Sequence, residues 1–231
     1  MPPDRRTRKR LATRQSISDA ATRLFIERGF DHVTVDEIAE AADVGRMTVF
    51  NHFPRKEDMF FDRDEEGREK LRDALRHRDA GVAPLEALRL LARQAASTDS
   101  PYVFFSPITQ SFVETVEKSA ALLARAREIR DELVHVVRIA LAESVGKEPA
   151  DTGAYLAANM LLAAWSVAFI EAHRTYRESQ DSKKAKSMFL ALIDKGSRGL
   201  EAAMAGTPYA QASVDAALPS RSQNKQSRKT S

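Results

Sequence analysis

Arg46, Met47, Thr48, Asn51 and His52 crowd into one short stretch, and these are the side chains whose types and spacing could do chemistry together. Val44, Val49 and Phe53 around them are spaced to plug into a neighbouring helix, which leaves the five on the opposite face. Arginine, asparagine and threonine bond base edges or phosphates, and Met47 could touch a thymine methyl; such a face is free to enter a major groove. That chemistry is recognition rather than bond-making. Other candidates fall away. Asp62, Asp64, Glu66 and Gly67 look briefly like an EF-hand loop, but Glu69 stands where an apolar residue belongs and Asp73 at the bidentate glutamate's place, so a wet helix face explains them better. The five histidines, at 32, 52, 77, 135 and 173, show no ligand spacing. The stretch at 144–148 lacks the first glycine of a P-loop, and neither a nucleophile elbow nor a dinucleotide fingerprint is present. With no cysteine, thiolate metal sites and disulfides are excluded. The expectation is a protein that is not an enzyme and has no cofactor and no metal.

The elements that must position this face are legible around it. Ile17, Ala20, Ala21, Leu24 and Phe25 recur at helical spacing and predict a helix over 11–28, closed by Gly29. Thr34 is a good N-cap and Glu37 completes a capping box, opening a short helix that turns Val35, Ile38, Ala39 and Ala42 inward. The turn at Asp43, Val44 and Gly45 leads into a third helix over 46–52, and Pro54 stops it. Two short helices at a steep angle, with small Ala39 at their contact, form a helix-turn-helix.

Beyond Pro54 the pattern predicts longer helices: 56–78, 85–96, part of 102–116, 119–145, 151–178 and 182–205. Few prolines and glycines (9 of each) and scattered β-branched residues agree with an all-α protein of about nine helices. The expected division is a basic N-terminal arm (1–10), a three-helix helix-turn-helix domain (11–55), a helical bundle for sensing and dimerisation (56–205) and a disordered tail (206–231). The stretch 153–170 is uncharged and approaches the length of a membrane span, yet its alanines, Asn159 and Ser166 read as a helix buried on most sides in a soluble bundle. The expectation is therefore a cytoplasmic protein with no membrane partner. Net charge is only +3, but Arg5, Arg6, Arg8, Lys9, Arg10 and Arg14 face a single Asp4 at one end, and Arg221, Lys225, Arg228 and Lys229 gather at the other. Basic ends on a mildly acidic body suit a polyanionic partner, and equally suit solvated tails. The N-terminal arm could follow a duplex backbone, enter a minor groove, or do neither.

The run AATRLFIERGFDHVTVDEIAEAADVGRMTVFNHFPRKEDMF closely resembles the DNA-binding domain of the tetracycline-repressor (TetR) family of bacterial regulators. The likeness covers about residues 10–65, with helix, turn and helix in register and an aromatic, His, Phe closure before a Lys-Glu pair. The remainder agrees in helix count and order. The resemblance implies a sequence-specific transcriptional regulator, a repressor released from its operator by a small-molecule effector; an activator or dual regulator of the same family, or a helical adaptor, are the alternatives. It implies phosphate contacts for Thr48, Phe50, His52 and Lys56, and base-facing positions for Arg46, Met47 and Asn51; Thr34 joins the DNA-binding candidates. Three residues depart from the family pattern. Phe50 replaces the usual tyrosine and lacks its hydroxyl, Asp43 replaces the turn glycine, and Gly45 replaces the usual hydroxyl cap.

The resemblance further implies a homodimer, joined through its last two long helices and sitting on double-stranded DNA with a palindromic operator. The small Gly196, Gly199 and Ala203 would permit close helix approach there. An effector pocket is expected within the bundle. Candidate lining residues are Tyr102, Phe104, Phe105, Phe112, Tyr155, Asn159, Trp165, Phe169 and His173, a set poor in charge that points to an apolar or aromatic small molecule.

Overall fold

The computed structural model describes residues 4–98, 100 and 102–212. Among them are ten α-helices, one 3-10 turn and no strand, so the chain is all-α. The first three helices are α1 (Arg5–Arg28), α2 (Val35–Ala41) and α3 (Arg46–His52); α4 (Glu57–Phe60) is a single turn. The bundle follows as α5 (Asp64–Arg76), α6 (Pro84–Ser97), α7 (Pro107–Lys118), α8 (Ala120–Ser144), α9 (Thr152–Ser179) and α10 (Ser182–Ala203).

Caps fix most helix starts. Asp4 accepts from the Thr7 N–H, which starts α1 at Arg5 and makes the expected basic arm the first turns of a helix. Pro107 lies at the first turn of α7 behind a Ser106–Thr109 capping box, where its missing N–H costs nothing. The single helix expected over 56–78 is broken at Phe61. Met59 and Phe60 are buried, and Phe61 must also reach Phe112, so three consecutive large side chains have to face inward. One straight helix spreads consecutive residues about 100° apart, and the break gathers them onto one side.

Three apolar cores organise the molecule. The N-terminal core packs Ile17, Phe25, Ile38 and Val49 of the first three helices, and Phe30 and Phe53 just beyond α1 and α3, with Met59, Phe60 and Leu122. Phe112 of α7 stacks on Phe60 at 4.1 Å, so this core takes in α4 and the facing ends of α7 and α8 rather than closing at Pro54. A second core joins α5, α6, α8, α9 and the end of α10; a third joins α6, Phe105, α9 and α10. The chain beyond α10 is not all loose tail. Tyr209 is buried, donates its hydroxyl to Asp151 at 2.7 Å and accepts from the Leu85 N–H. The basic residues at 221–229 lie outside the described residues.

Helix α9 is long and apolar enough to cross a membrane by length and composition. It is buried on one face only, through Ala154, Ala157, Ala158, Leu161, Ala168 and Ala172, which corrects the expectation of burial on most sides. Leu156, Val167 and Ile170 stand 51–60% exposed on the other face. Gly196 of α10 is needed for the α9–α10 contact within the chain, since a Cβ there would lie 2.6 Å from the Ala164 Cβ. Gly199 meets nothing.

Candidate nucleic-acid interface

The helix-turn-helix is built by local rules. The Thr34 hydroxyl accepts from the Glu37 N–H while the Glu37 carboxylate accepts from the Thr34 N–H, closing the capping box that starts α2. The Thr34 N–H, then Arg28, then the Thr34 hydroxyl hold the Glu37 carboxyl down at about 2. Thr34 is therefore placed at the head of α2, with its hydroxyl engaged in the box. Helix α2 ends as Asp43 takes φ +52°, the left-handed turn that lets α3 cross it. The Val44 N–H then bonds the Ala39 carbonyl at 3.0 Å. Gly45 caps α3 without a side-chain bond.

Val49 is fully buried beneath α3 and Phe53 beneath its end, and this fixes which face looks out. Met47 is 70% exposed, Asn51 and Arg46 are exposed, and Thr48 and His52 are half-buried at the edge. The Arg46 guanidinium is held by Asp36 of α2 at 2.6 Å, and it extends over Phe50, itself exposed on the same helix. His52 lies beside two guanidinium groups. Partial burial first, then the charges of Arg10 and Arg14, push its pKa below the ordinary imidazole value, which favours the neutral ring.

Lys56 is half-buried and anchored within the chain. Its ammonium donates to the Phe30 carbonyl and lies 4.1 Å from the Phe30 ring centroid and 5.3 Å from that of Phe25. Desolvation lowers its pKa. The side chain fastens the entry of α4 to the loop after α1. Arg14 belongs to the same surface although no motif marks it: it lies 3.9 Å over the Phe53 ring and donates to the His52 carbonyl, the last of α3. Only its position in the basic run at the N-terminus hints at a role.

The base of this unit is tied to the bundle by ions. Arg125 of α8, only 9% exposed, reaches Asp58 at 3.0 Å and Glu132 at 2.9 Å, with Asp64 and Glu128 close by. Arg68 of α5 pairs with Asp64 and Glu132 in the same network. This cation is shared by α4, α5 and α8 and ties the segment after the helix-turn-helix to the bundle.

The expected pocket residues are scattered. Phe105, Phe169 and His173 come together, the His173 ring 5.0 Å from Phe105 and 4.5 Å from Phe169, and Trp165 lies two turns earlier on α9. Phe112 instead stacks into the N-terminal core, and Tyr102 donates to the Arg63 carbonyl. Phe104 is exposed, and so is Tyr155, at the far end of α9, where Asn159 donates to the Tyr155 carbonyl. Two surface clefts, of about 400 and 470 Å³, lie between α5 and α6 and between α1 and the start of α5; none of the expected pocket residues lines either. Residues that sequence reasoning missed are the buried Gln110, with Oε1 unpartnered, and the α8 arginine described above.

A sequence model of a family described as bacterial regulatory proteins, tetR family, matches residues 17–62. The HTH-type transcriptional regulator TcmR of Streptomyces glaucescens is 38% identical over 86 residues, 37% of this chain and 38% of TcmR, so the match spans well under half of that relative. The HTH-type transcriptional repressor BepR of Brucella suis biovar 1 is 29% identical over 170 residues, 69% of this chain and 80% of BepR. The crystal structure of NalD, the secondary repressor of the MexAB-OprM multidrug efflux pump in Pseudomonas aeruginosa, superposes with a TM-score of 0.52 at 23% identity. It covers 80% of this chain and 95% of NalD, a likeness of fold.

Proposed function

We propose that this chain, whose residues 17–62 match the sequence model of the tetR family of bacterial regulatory proteins, is a sequence-specific transcriptional repressor released from its operator by a small molecule. The outward face of α3 carries the reading. Met47 and Asn51 are held in water on a helix whose other face is locked by Val49 and Phe53, an arrangement with no packing purpose and a good fit to a major groove. Asp36 parks Arg46 until a base or phosphate replaces the carboxylate. Thr48 and His52 flank the face at the height of the phosphates, and the half-buried Lys56 positions it.

The working unit is a homodimer. Leu156, Val167 and Ile170 on α9 and Met188 on α10 form exposed apolar surface that a second copy would cover. Two reading helices on a palindrome combine their binding energies, which one short helix cannot match.

The effector site is centred on His173. Its Nδ1 and the Trp165 Nε1 are buried without a partner, as is the Gln110 Oε1 on α7. Each such group costs roughly 1–3 kcal/mol. An uncharged aromatic ligand bearing a hydrogen-bonding group would stack with Phe105 and Phe169 and satisfy the His173 Nδ1. Burial, then the charge of Arg177, hold His173 down at about 4, so it meets the ligand as a neutral ring. Helix α7 joins Gln110 to Phe112, and Phe112 lies on Phe60 of α4, so a ligand that shifts α7 tilts the reading head.

Selection of purified protein on random duplex DNA, with Thr48→Ala/Asn51→Ala in parallel, tests the reading. A palindromic motif enriched by the wild type and absent from the variant is expected. Equal recovery of all sequences by both proteins would overturn it.

A further inference from the structure

Helix α1 begins at Arg5, well before its first buried residue, Ile17, and five of its first six residues are cationic. Arg6, Arg10 and Arg14 recur at i, i+4 and i+8, so they form one stripe about 12 Å long on the helix surface. The inner end of that stripe is anchored: Arg14 stacks on Phe53 and donates to the terminal carbonyl of α3. The stripe therefore starts at the C-terminal end of the reading helix and runs outward from it. Its cations also differ from those of α5. On α5, Arg68, Lys70, Arg72 and Arg76 all reach a carboxylate within 4.0 Å. Arg5, Arg6, Arg8, Lys9 and Arg10 are exposed and, among the described residues, reach none.

Unpaired guanidinium groups fixed on a rigid helix, continuous with a face shaped for a groove, complement a phosphate backbone. We propose that the N-terminal turns of α1 are a second DNA-binding surface, in which Arg6 and Arg10 grip duplex phosphates beyond the base pairs read by α3. The proposal rests on the reading of α3 as the recognition helix. Such contacts add affinity and orientation but carry no sequence information. A helical stripe holds its charges at fixed spacing, whereas a flexible arm would have to be ordered on binding.

The test is the salt dependence of binding to a labelled 30-base-pair duplex of mixed sequence, for the full-length wild type, Arg6→Ala/Arg10→Ala and Arg6→Lys/Arg10→Lys. The slope of log K against log salt is shallower by about 0.9 for each phosphate the protein no longer neutralises. The alanine variant is expected to lose about 2 units of slope per reading head and at least tenfold in affinity at low salt, with its melting temperature unchanged. The lysine variant should restore the slope. Arg72→Ala/Arg76→Ala on α5, which removes the same charge, should behave as wild type. Wild-type binding with an unchanged slope in the alanine variant would overturn this proposal and leave the reading of α3 standing. Absence of wild-type binding even at low salt would overturn both.

Discussion

Asp43 shows how much of the reading head hangs on single residues. The turn between α2 and α3 needs a left-handed residue, and aspartate supplies it at φ +52° where glycine is the freer choice. Asp43→Gly should change stability little, whereas Asp43→Val should cost about 1–2 kcal/mol in chemical denaturation, because a β-branched side chain resists that region. His173 makes a prediction of opposite character. Its pKa is held at about 4 by burial, below the unfolded value near 6.5. The unfolded chain binds the extra proton first, so stability is lost as pH falls from about 6.5 towards 4, by on the order of 1–3 kcal/mol. Thermal melts at pH 7 and pH 5 should show that loss in the wild type and much less of it in His173→Phe; parallel curves would contradict the burial of a neutral ring. The face of α3 was legible in the sequence because Val49 and Phe53 fix its phase. The fate of Lys56 was not, since only tertiary structure brings the Phe25 and Phe30 rings to its ammonium.

Among the elements, the α9–α10 pair is the most constrained. Gly196 sits where the two helices touch, and its missing Cβ is what Ala164 packs against. Gly196→Ala is expected to destabilise the protein by about 1–3 kcal/mol through overpacking. Gly199 faces open space, so Gly199→Ala should be neutral or stabilising by up to about 1 kcal/mol; equal effects at both sites would show that the helices pack otherwise. The start of α2 was readable because Thr34 and Glu37 mark it, whereas the pattern predicts α7 only as part of 102–116 and passes over the Ser106 cap and Pro107 that start it. Helix positions were misread where a tertiary demand overrode the pattern. The break at Phe61 answers to Phe112, fifty-one residues on in the chain, and the chain after α10 is held by a Tyr209–Asp151 bond that no local period announces.

For the molecule as a whole, the proposed function requires that the apolar outer faces of α9 and α10 be covered by a second copy and that the two reading heads then be spaced for one operator. Val167→Glu/Ile170→Glu places charge on that surface without touching the internal core. Sedimentation should find the wild type dimeric at micromolar concentration and the variant monomeric with its helical content intact; a dimeric variant would move the interface elsewhere. The ion network around Arg125 and the stacked Phe60–Phe112 pair make the reading head and the bundle one mechanical unit. Under the proposed function, this is the route by which ligand binding at His173 would reach α3. Base reading by α3, on which the rest depends, is tested most directly by the ratio of affinities for the selected operator and for an unrelated duplex at one fixed salt concentration, in the wild type and in Met47→Ala/Asn51→Ala. A wild-type ratio of about 10³ or more is expected, collapsing in the variant through weaker operator binding, with affinity for unrelated duplex unchanged. An undiminished ratio in the variant would mean that α3 does not do the reading.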